Sequence, residues 1–312
     1  IQLVTVTATR RAELQNKVPQ SISAFTSEKI DQLDAKSIAY LVRFTPVVSF
    51  DPVTKNVSIR GVNSTAGDAT TGIYIDDTPI QLRELGFGSD NTLPAIFDLE
   101  RVEILRGPQG TLFGAGSEGG TVRYITPAPS LTDFSVYGKT EFSTTADGAP
   151  NYEGGFAVGG PIVEDTLGFR ISAWGRRDGG WIDKVDYMTG ATLQSDSNYV
   201  NTYVVRGAIL WQPMASLAIT PSIYYQNRNQ NNIDQYWVGL SSPNHGVYKT
   251  ATPENMADKD HFVLPALKAD WNLGKVELIS NTSYFDRREL VQDYSGTLYN
   301  LSYFQQSVDF GL

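Results

Sequence analysis

From Phe134 onward the chain is written in stretches of roughly ten residues whose polarity alternates, divided by turns. A period of two is the mark of a strand with different surroundings on its two faces. "FSVYGKTEF" sets Phe134, Val136 and Phe142 against Tyr137, Lys139 and Glu141. "LGFRISAWGRR" sets Phe169, Ile171 and Ala173 against Arg170, Ser172, Trp174 and Arg176. "YVVRGAILW" places Tyr203, Val205, Ile209 and Trp211 opposite Arg206, and "LAITPSIYY" groups Leu217, Ile219, Ile223 and Tyr225. "FVLPALKADW" and "KVELISNTSYFDR" continue the pattern, and a last strand opens near Tyr303. The connections alternate too. "GPIVEDT", "QPMAS" and "NLGK" are tight, whereas the segments around 179–199, 229–260 and 288–302 are long and polar. Short turns at one end and long loops at the other predict a membrane β-barrel, with Trp211, Tyr224, Tyr225 and Trp271 as interfacial aromatics. A soluble β-sandwich alternates identically along each strand, but the asymmetry of the connections argues against it.

A sheet in hydrocarbon cannot end in an open edge, because each unpaired backbone group costs several kcal/mol. The pattern predicts about eight strands, and a barrel of eight has room inside only for its own side chains. It could not enclose the 128 or so residues that precede it. The sequence is therefore expected to hold an incomplete barrel, as part of a longer chain.

Those first residues follow a different grammar. "SISAF" alternates as a strand, and "TSEKIDQLDAKSIAYLVRFTP" reads as helix, with Thr26 or Ser27 as cap and Pro46 as stop. "NVSIRG", "GIYIDDTPI", "RVEIL" and "TVRYIT" are short strands bounded by Gly, Pro or Asp. Together they predict a small α+β domain. Composition removes several chemistries. With 34 acidic against 25 basic residues, a nucleic-acid partner is not expected. Cysteine is absent, and the two histidines, His245 and His261, do not form a metal-binding pair. Neither a metal, a cofactor nor a catalytic constellation is expected. Asp76-Asp77 is the one adjacent carboxylate pair that invites attention, and a turn into "TPI" accounts for it more simply. No apolar run is long enough for a membrane helix, and "IQLVTVTATR" at the start reads as a mature chain without a secretory signal.

"GAGSEGG" (Gly114–Gly120) contains the spacing G-x-G-x-x-G of a dinucleotide-binding turn. That chemistry needs a helix directly after the third glycine, since its first N–H groups bind the pyrophosphate. Here "TVRYITPAP" comes next, β-branched and then proline-rich, which is a strand. The glycines are better suited to a tight connection between strands 101–106 and 121–126. A nucleotide-dependent enzyme would rest on this run alone.

"DLERVEILRGPQGTLFGAGSEGGTVRYIT" (Asp98–Thr126) resembles the end of the plug domain of TonB-dependent outer-membrane receptors. "SIRGVN" and "GIYIDDTPI" are similar to the middle of that plug, and "KVPQSISAFTSEKI" to its start. The ordered series covers about residues 2–128. The sequence departs from the common pattern at Glu118 and Pro127. The resemblance implies a barrel of about 22 strands with the plug in its lumen, of which only about the first eight strands lie in this chain. It divides the chain into a TonB-box-like segment (1–9), the plug (10–128) and the leading part of the barrel (133–312). It places the protein in the outer membrane of a Gram-negative bacterium, in contact with outer-membrane lipid.

The same resemblance implies import of a scarce extracellular small ligand, driven by TonB with ExbB and ExbD from the periplasmic side. Gln2, Leu3, Val4, Thr5, Val6, Thr7 and Ala8 match the TonB box in place and character, and an extended segment of this kind can add to a partner's sheet edge. An ordinary first plug strand or a free tail would read alike. Arg60, Glu100, Arg101, Glu103 and Arg106, with Gly61 and Gly107, match the family's charged plug core. They are candidates for a plug–barrel latch, or for ion pairs local to the plug. Outward segments 63–71, 81–92 and 227–248 supply Asp68, Arg83, Glu84, Asp90, Tyr236 and Trp237 as candidate ligand contacts. The favoured ligand is an iron–siderophore complex, with a glycan or vitamin as the alternative. A signalling transducer would need a further domain before the TonB box, and none is visible before Ile1. A passive porin is disfavoured because a plug would block it.

Overall fold

The computed structural model describes residues 5–7, 10, 13–52, 55–63, 69–81, 93–110 and 112–291. The strand expected near Tyr303 lies outside them. Among the described residues no helix is long and apolar enough to cross a membrane.

The leading part is built on a five-stranded sheet in the order Ser21–Thr26, Arg101–Arg106, Gly120–Ile125, Thr71–Ile75, Thr78–Pro79. Gly120–Ile125 and Thr71–Ile75 run parallel, and the other neighbours antiparallel. The helical stretch is two short helices, Ser27–Gln32 and Ile38–Val42, rather than one. Thr26 caps the first, accepting Lys29 N–H at 3.4 Å. Asp34, at φ 47°, turns the chain left-handed, and Ala35 N–H closes back on Ile30 O, so the helix ends there. Sequence periodicity bridges such a break because Ile30 and Ile38 both face the core.

The glycine run behaves as its context predicts. Gly107 N–H donates to Gly119 O at 2.9 Å and Gln109 N–H to Ser117 O at 2.9 Å, closing a connection between two adjacent antiparallel strands. The chain leaves that connection as the strand Gly120–Ile125, not as a helix.

The remainder is an antiparallel wall of long strands: Ser135–Thr144, Pro150–Val163, Leu167–Asp178, Val200–Met214, Leu217–Gln230 and Asp258–Asn272. A seventh position is filled by Glu277–Ser283 and Asp286–Val291, which both pair with Asp258–Asn272. The register runs through unchanged, from Ala266↔Ser283 to Val263↔Asp286. The gap falls opposite Pro265, which accepts Tyr284 N–H through its carbonyl at 3.0 Å but has no N–H to return. Burial alternates as the polarity did. Phe134, Val136, Ile171, Val205, Ile209, Trp211, Ile223, Tyr225 and Trp271 are exposed on the outer face, while Arg170, Ser172, Trp174, Arg206, Gln226 and Phe262 are buried on the inner one. Tyr224 corrects the expectation of an interfacial aromatic. It is one residue out of phase with Tyr225, is 5 % exposed, and stacks on Phe262 at 5.6 Å.

Wall and plug share one apolar core. Ile73, Ile75, Val102, Ile104, Val122 and Tyr124 of the small sheet join Trp174, Val204, Tyr224, Phe262 and Leu264 of the wall in a single cluster. Gly155 shows how close the approach is. A Cβ there would lie 2.7 Å from Phe97 Cζ of the plug and 2.7 Å from Trp174 Cδ1. Gly155→Val in the full-length protein is expected to lower stability by about 1–3 kcal/mol through overpacking. Gly154→Ala, whose Cβ meets nothing within 4 Å, is expected to be neutral; thermal unfolding in detergent compares the two.

Candidate functional site

The plug sheet has a second face, and on it sits a charge cluster. Glu103 and Arg123 are cross-strand partners, fully or almost fully buried. Arg123 Nη1 donates to Glu103 Oε2 at 3.0 Å, and Arg101 Nε to Glu103 Oε1 at 2.7 Å. A carboxylate this deeply buried is tolerable only because two guanidinium groups surround it. Arg101 also pairs with Glu100. The ion pairs of Glu100, Arg101 and Glu103 thus run within the plug. Arg106 ends its strand opposite Ser21 and Gly120. Arg60, at φ 56°, lies over Gly107, where a Cβ would come within 3.1 Å of Arg60 Nη1.

The cluster grips the N-terminal segment. Thr7 N–H donates to Glu103 Oε1 at 2.8 Å, Arg101 Nη2 donates to Thr7 Oγ1 at 3.1 Å, and Arg123 Nη1 donates to Thr7 O at 2.7 Å. Thr5–Val6 forms a small antiparallel ladder with Glu13–Leu14, and Val6 is buried against Val18, Ile22, Tyr74, Leu105 and Phe113. Gln2, Leu3, Val4 and Ala8 lie outside the described residues. Two residue sets named separately in the sequence, Thr7 of the box and Arg101 with Glu103, therefore meet. Arg123 was the missing member; a charge between Val122 and Tyr124 in an otherwise apolar strand was its signal.

Asp76 and Asp77 separate as expected for a turn. Asp76 accepts Thr126 N–H and Oγ1–H, both at 2.8 Å. Asp77 pairs with Arg10, with Arg123 at 3.1 Å and with wall residue Lys268 at 3.6 Å. Beside them a cavity of about 530 Å³ opens between Thr5, Thr7, Asp77, Arg206, Thr220 and Lys268. Thr220 and Lys268 place it toward the short-turn end of the wall.

Plug and wall are tied by other charges. Arg170 reaches inward to Asp98 through both Nε (3.0 Å to Oδ2) and Nη2, the two-point geometry that makes such pairs strong. Lys36 meets Glu141 and lies 3.7 Å from Glu153, which Arg176 also holds at 2.6 Å. Lys55 pairs with Asp258 at 2.8 Å, and Tyr137 Oη donates to Asp31 at 3.0 Å. Lys139, Glu141, Arg170 and Arg176 were legible as the polar faces of strands, but not which plug residues answer them.

At the other end, the long loops fold on each other. Asp183–Val185 pairs with Thr192–Gln194 and, in parallel, with Lys249–Thr250. Asn198 Oδ1 accepts Trp181 N–H and Ile182 N–H at 2.8 and 2.9 Å. Tyr236 packs edge-on against Trp181 (6.2 Å) and Tyr248 (5.2 Å), and Trp237 lies 5.9 Å from Tyr187. Trp181, Tyr187 and Tyr248 join the two aromatics named from sequence. Asp68, Arg83, Glu84 and Asp90 lie outside the described residues.

A strand wall with an α+β domain docked on its inner face and its loops gathered at one end defines a plugged outer-membrane barrel. Residues 15–121 match the family model described as TonB-dependent Receptor Plug Domain. The chain is 26 % identical over 96 % of its length to the probable TonB-dependent siderophore receptor PirA of Acinetobacter baumannii. It is 30 % identical over 58 % of its length to the ferripyoverdine receptor of Pseudomonas aeruginosa. It covers 41 % and 21 % of those proteins. The structure of the ferric yersiniabactin uptake receptor FyuA from Yersinia pestis superposes over 88 % of this chain and 42 % of that one, with a TM-score of 0.66 at 20 % identity. The chain is similar to TonB-dependent receptors, by the family model in its plug and by these relatives along the leading part of the barrel. Its place is the outer membrane of a Gram-negative bacterium.

The grip on the N-terminal segment has a pH signature. Burial pushes the Asp77 carboxyl up, but Arg123, Lys268 and Arg10 outweigh it and hold it below its usual value of 3.8. A lowered value means that the tie is complete above about pH 4 and fails as pH falls through the lowered value. Hydrogen exchange at Val6 and Thr7, corrected for intrinsic rates, is expected to be flat from about pH 8 to about pH 5. Opening at about pH 6 would contradict the assignment.

Proposed function

We propose that the full-length protein imports a scarce ligand across the outer membrane by a TonB-dependent cycle, and that the ligand is an iron–siderophore complex. The observation that carries this reading is the N-terminal segment. Thr5–Thr7 lies extended on the plug's Arg–Glu cluster, beside a cavity toward the short-turn end, while the aromatic loops sit at the other end. TonB, working with ExbB and ExbD, would take Gln2–Ala8 as an added strand, and a pull there is delivered to Glu103 and Arg123 inside the sheet.

We read residues 1–9 as the TonB-binding segment, 10–128 as the plug and 133–312 as the leading part of the barrel. Tyr236 and Trp237, with Asp68, Arg83, Glu84 and Asp90, are proposed to meet the ligand. The siderophore reading is supported by the names of the similar proteins, a siderophore receptor, a ferripyoverdine receptor and a ferric yersiniabactin receptor. A loop cluster of Trp181, Tyr236 and Tyr248 also suits a sugar ring or a vitamin. The role is transport, with no catalysis of its own.

The test is uptake of ⁵⁵Fe-loaded hydroxamate and catecholate siderophores by a host lacking its own receptors and producing the full-length protein. Uptake is expected to require TonB and to vanish on deletion of residues 2–8, while binding persists. Binding of oligosaccharides or cobalamin without any ferric siderophore would overturn the ligand assignment.

A further inference from the structure

The wall strand Leu217–Gln230 carries an inward glutamine, with Tyr224 Oη 3.5 Å from its Oε1, that meets the plug backbone at two points. Gln226 is 3 % exposed. Its Oε1 accepts Ala95 N–H at 2.8 Å, and its Nε2 donates to Leu93 O at 3.0 Å. A carbonyl and the N–H two residues later point to the same side of an extended chain, as along the edge of a strand. A carboxamide sets one acceptor and one donor side by side, so it can satisfy both at once. Gln226 thus stands in for a neighbouring strand along the plug segment Leu93–Ala95. Earlier in the chain a second glutamine acts within the plug. Gln81 Oε1 accepts Ile73 N–H at 2.5 Å, and Gln81 Nε2 donates to Gly116 O at 3.2 Å.

We propose that Gln226 is a positioning residue that reads the plug backbone at Leu93–Ala95 and fixes this stem to the wall strand running into the 231–257 loop. The two sides of residues 82–92 are then held to different bodies, one to the plug's glycine connection and one to the barrel. Resting on the reading that ligand arrives from the loop side, this makes the wall strand and the plug stem respond as one unit.

The experiment compares Gln226→Leu and Gln226→Glu in the full-length receptor by amide-resolved hydrogen exchange, and it requires no ligand. Leucine keeps most of the side-chain volume but neither hydrogen bond. Glutamate keeps the acceptor for Ala95 N–H. If Gln226 positions the stem, Ala95 exchanges roughly tenfold faster in Gln226→Leu and stays protected in Gln226→Glu, with Val102 and Ile104 unchanged in both. A role in packing alone predicts the reverse order, with leucine the better substitute. That order, unchanged protection of Ala95 in Gln226→Leu, or an equal loss across the whole plug sheet would each overturn the proposal. Because the readout is exchange, its failure would leave the import reading untouched, and failure of import would leave the clamp standing.

Discussion

The structure hangs on charges that the wall turns inward. A strand wall facing lipid outside must put its polar residues inside, and an inward guanidinium such as Arg170 cannot be left alone there. Asp98 answers it from the plug with two-point geometry, from a backbone held at φ 49°. Lys36 and Lys55 answer Glu141 and Asp258 in the same way. The outer face is therefore satisfied by lipid and the inner face by a second domain. This is why the plug and wall share one apolar cluster rather than merely touching.

A second cluster, Arg101–Glu103–Arg123, does a different job on the opposite face of the plug sheet. It holds Thr7 by main chain and side chain together. A plug held to the wall by one set of charges, and to its own N-terminal segment by another, can release the second without first losing the first. Asp98–Arg170 and Lys36–Glu141 share no residue with the grip on Thr7. The cavity beside Thr7, Asp77 and Lys268 gives the segment space to move.

Much of this was readable from the sequence. Alternation placed Val136, Ile171 and Val205 outside and Arg170, Arg176 and Arg206 inside, because a period of two leaves no other choice. Tyr224 and Tyr225 show the limit. Aromatic character alone does not tell a lipid-facing ring from a lumen-facing one, whereas phase within the strand does. The strand after "GAGSEGG" decided against a nucleotide because β-branched residues and prolines were local signals. Pairing was not local. Asp98 opens the "DLERVEIL" motif, and its partner lies in another domain at Arg170. Nothing in the spacing of "DLERVEIL" distinguishes a carboxylate that faces the wall from those that bind Arg101 and Arg123. Gln226 was equally silent, because a carboxamide that reads backbone needs no particular partner side chain.

Inward charges hold the plug in the wall, and the Asp98–Arg170 pair is where this is most directly measured. In a double-mutant cycle on the full-length receptor, Asp98→Leu and Arg170→Met are each expected to cost about 3–5 kcal/mol of stability, since each strands a buried charge. The double variant is expected to cost much less than their sum, with a coupling above about 2 kcal/mol. Additive losses, or single variants as stable as the parent, would show that these charges do not hold the plug.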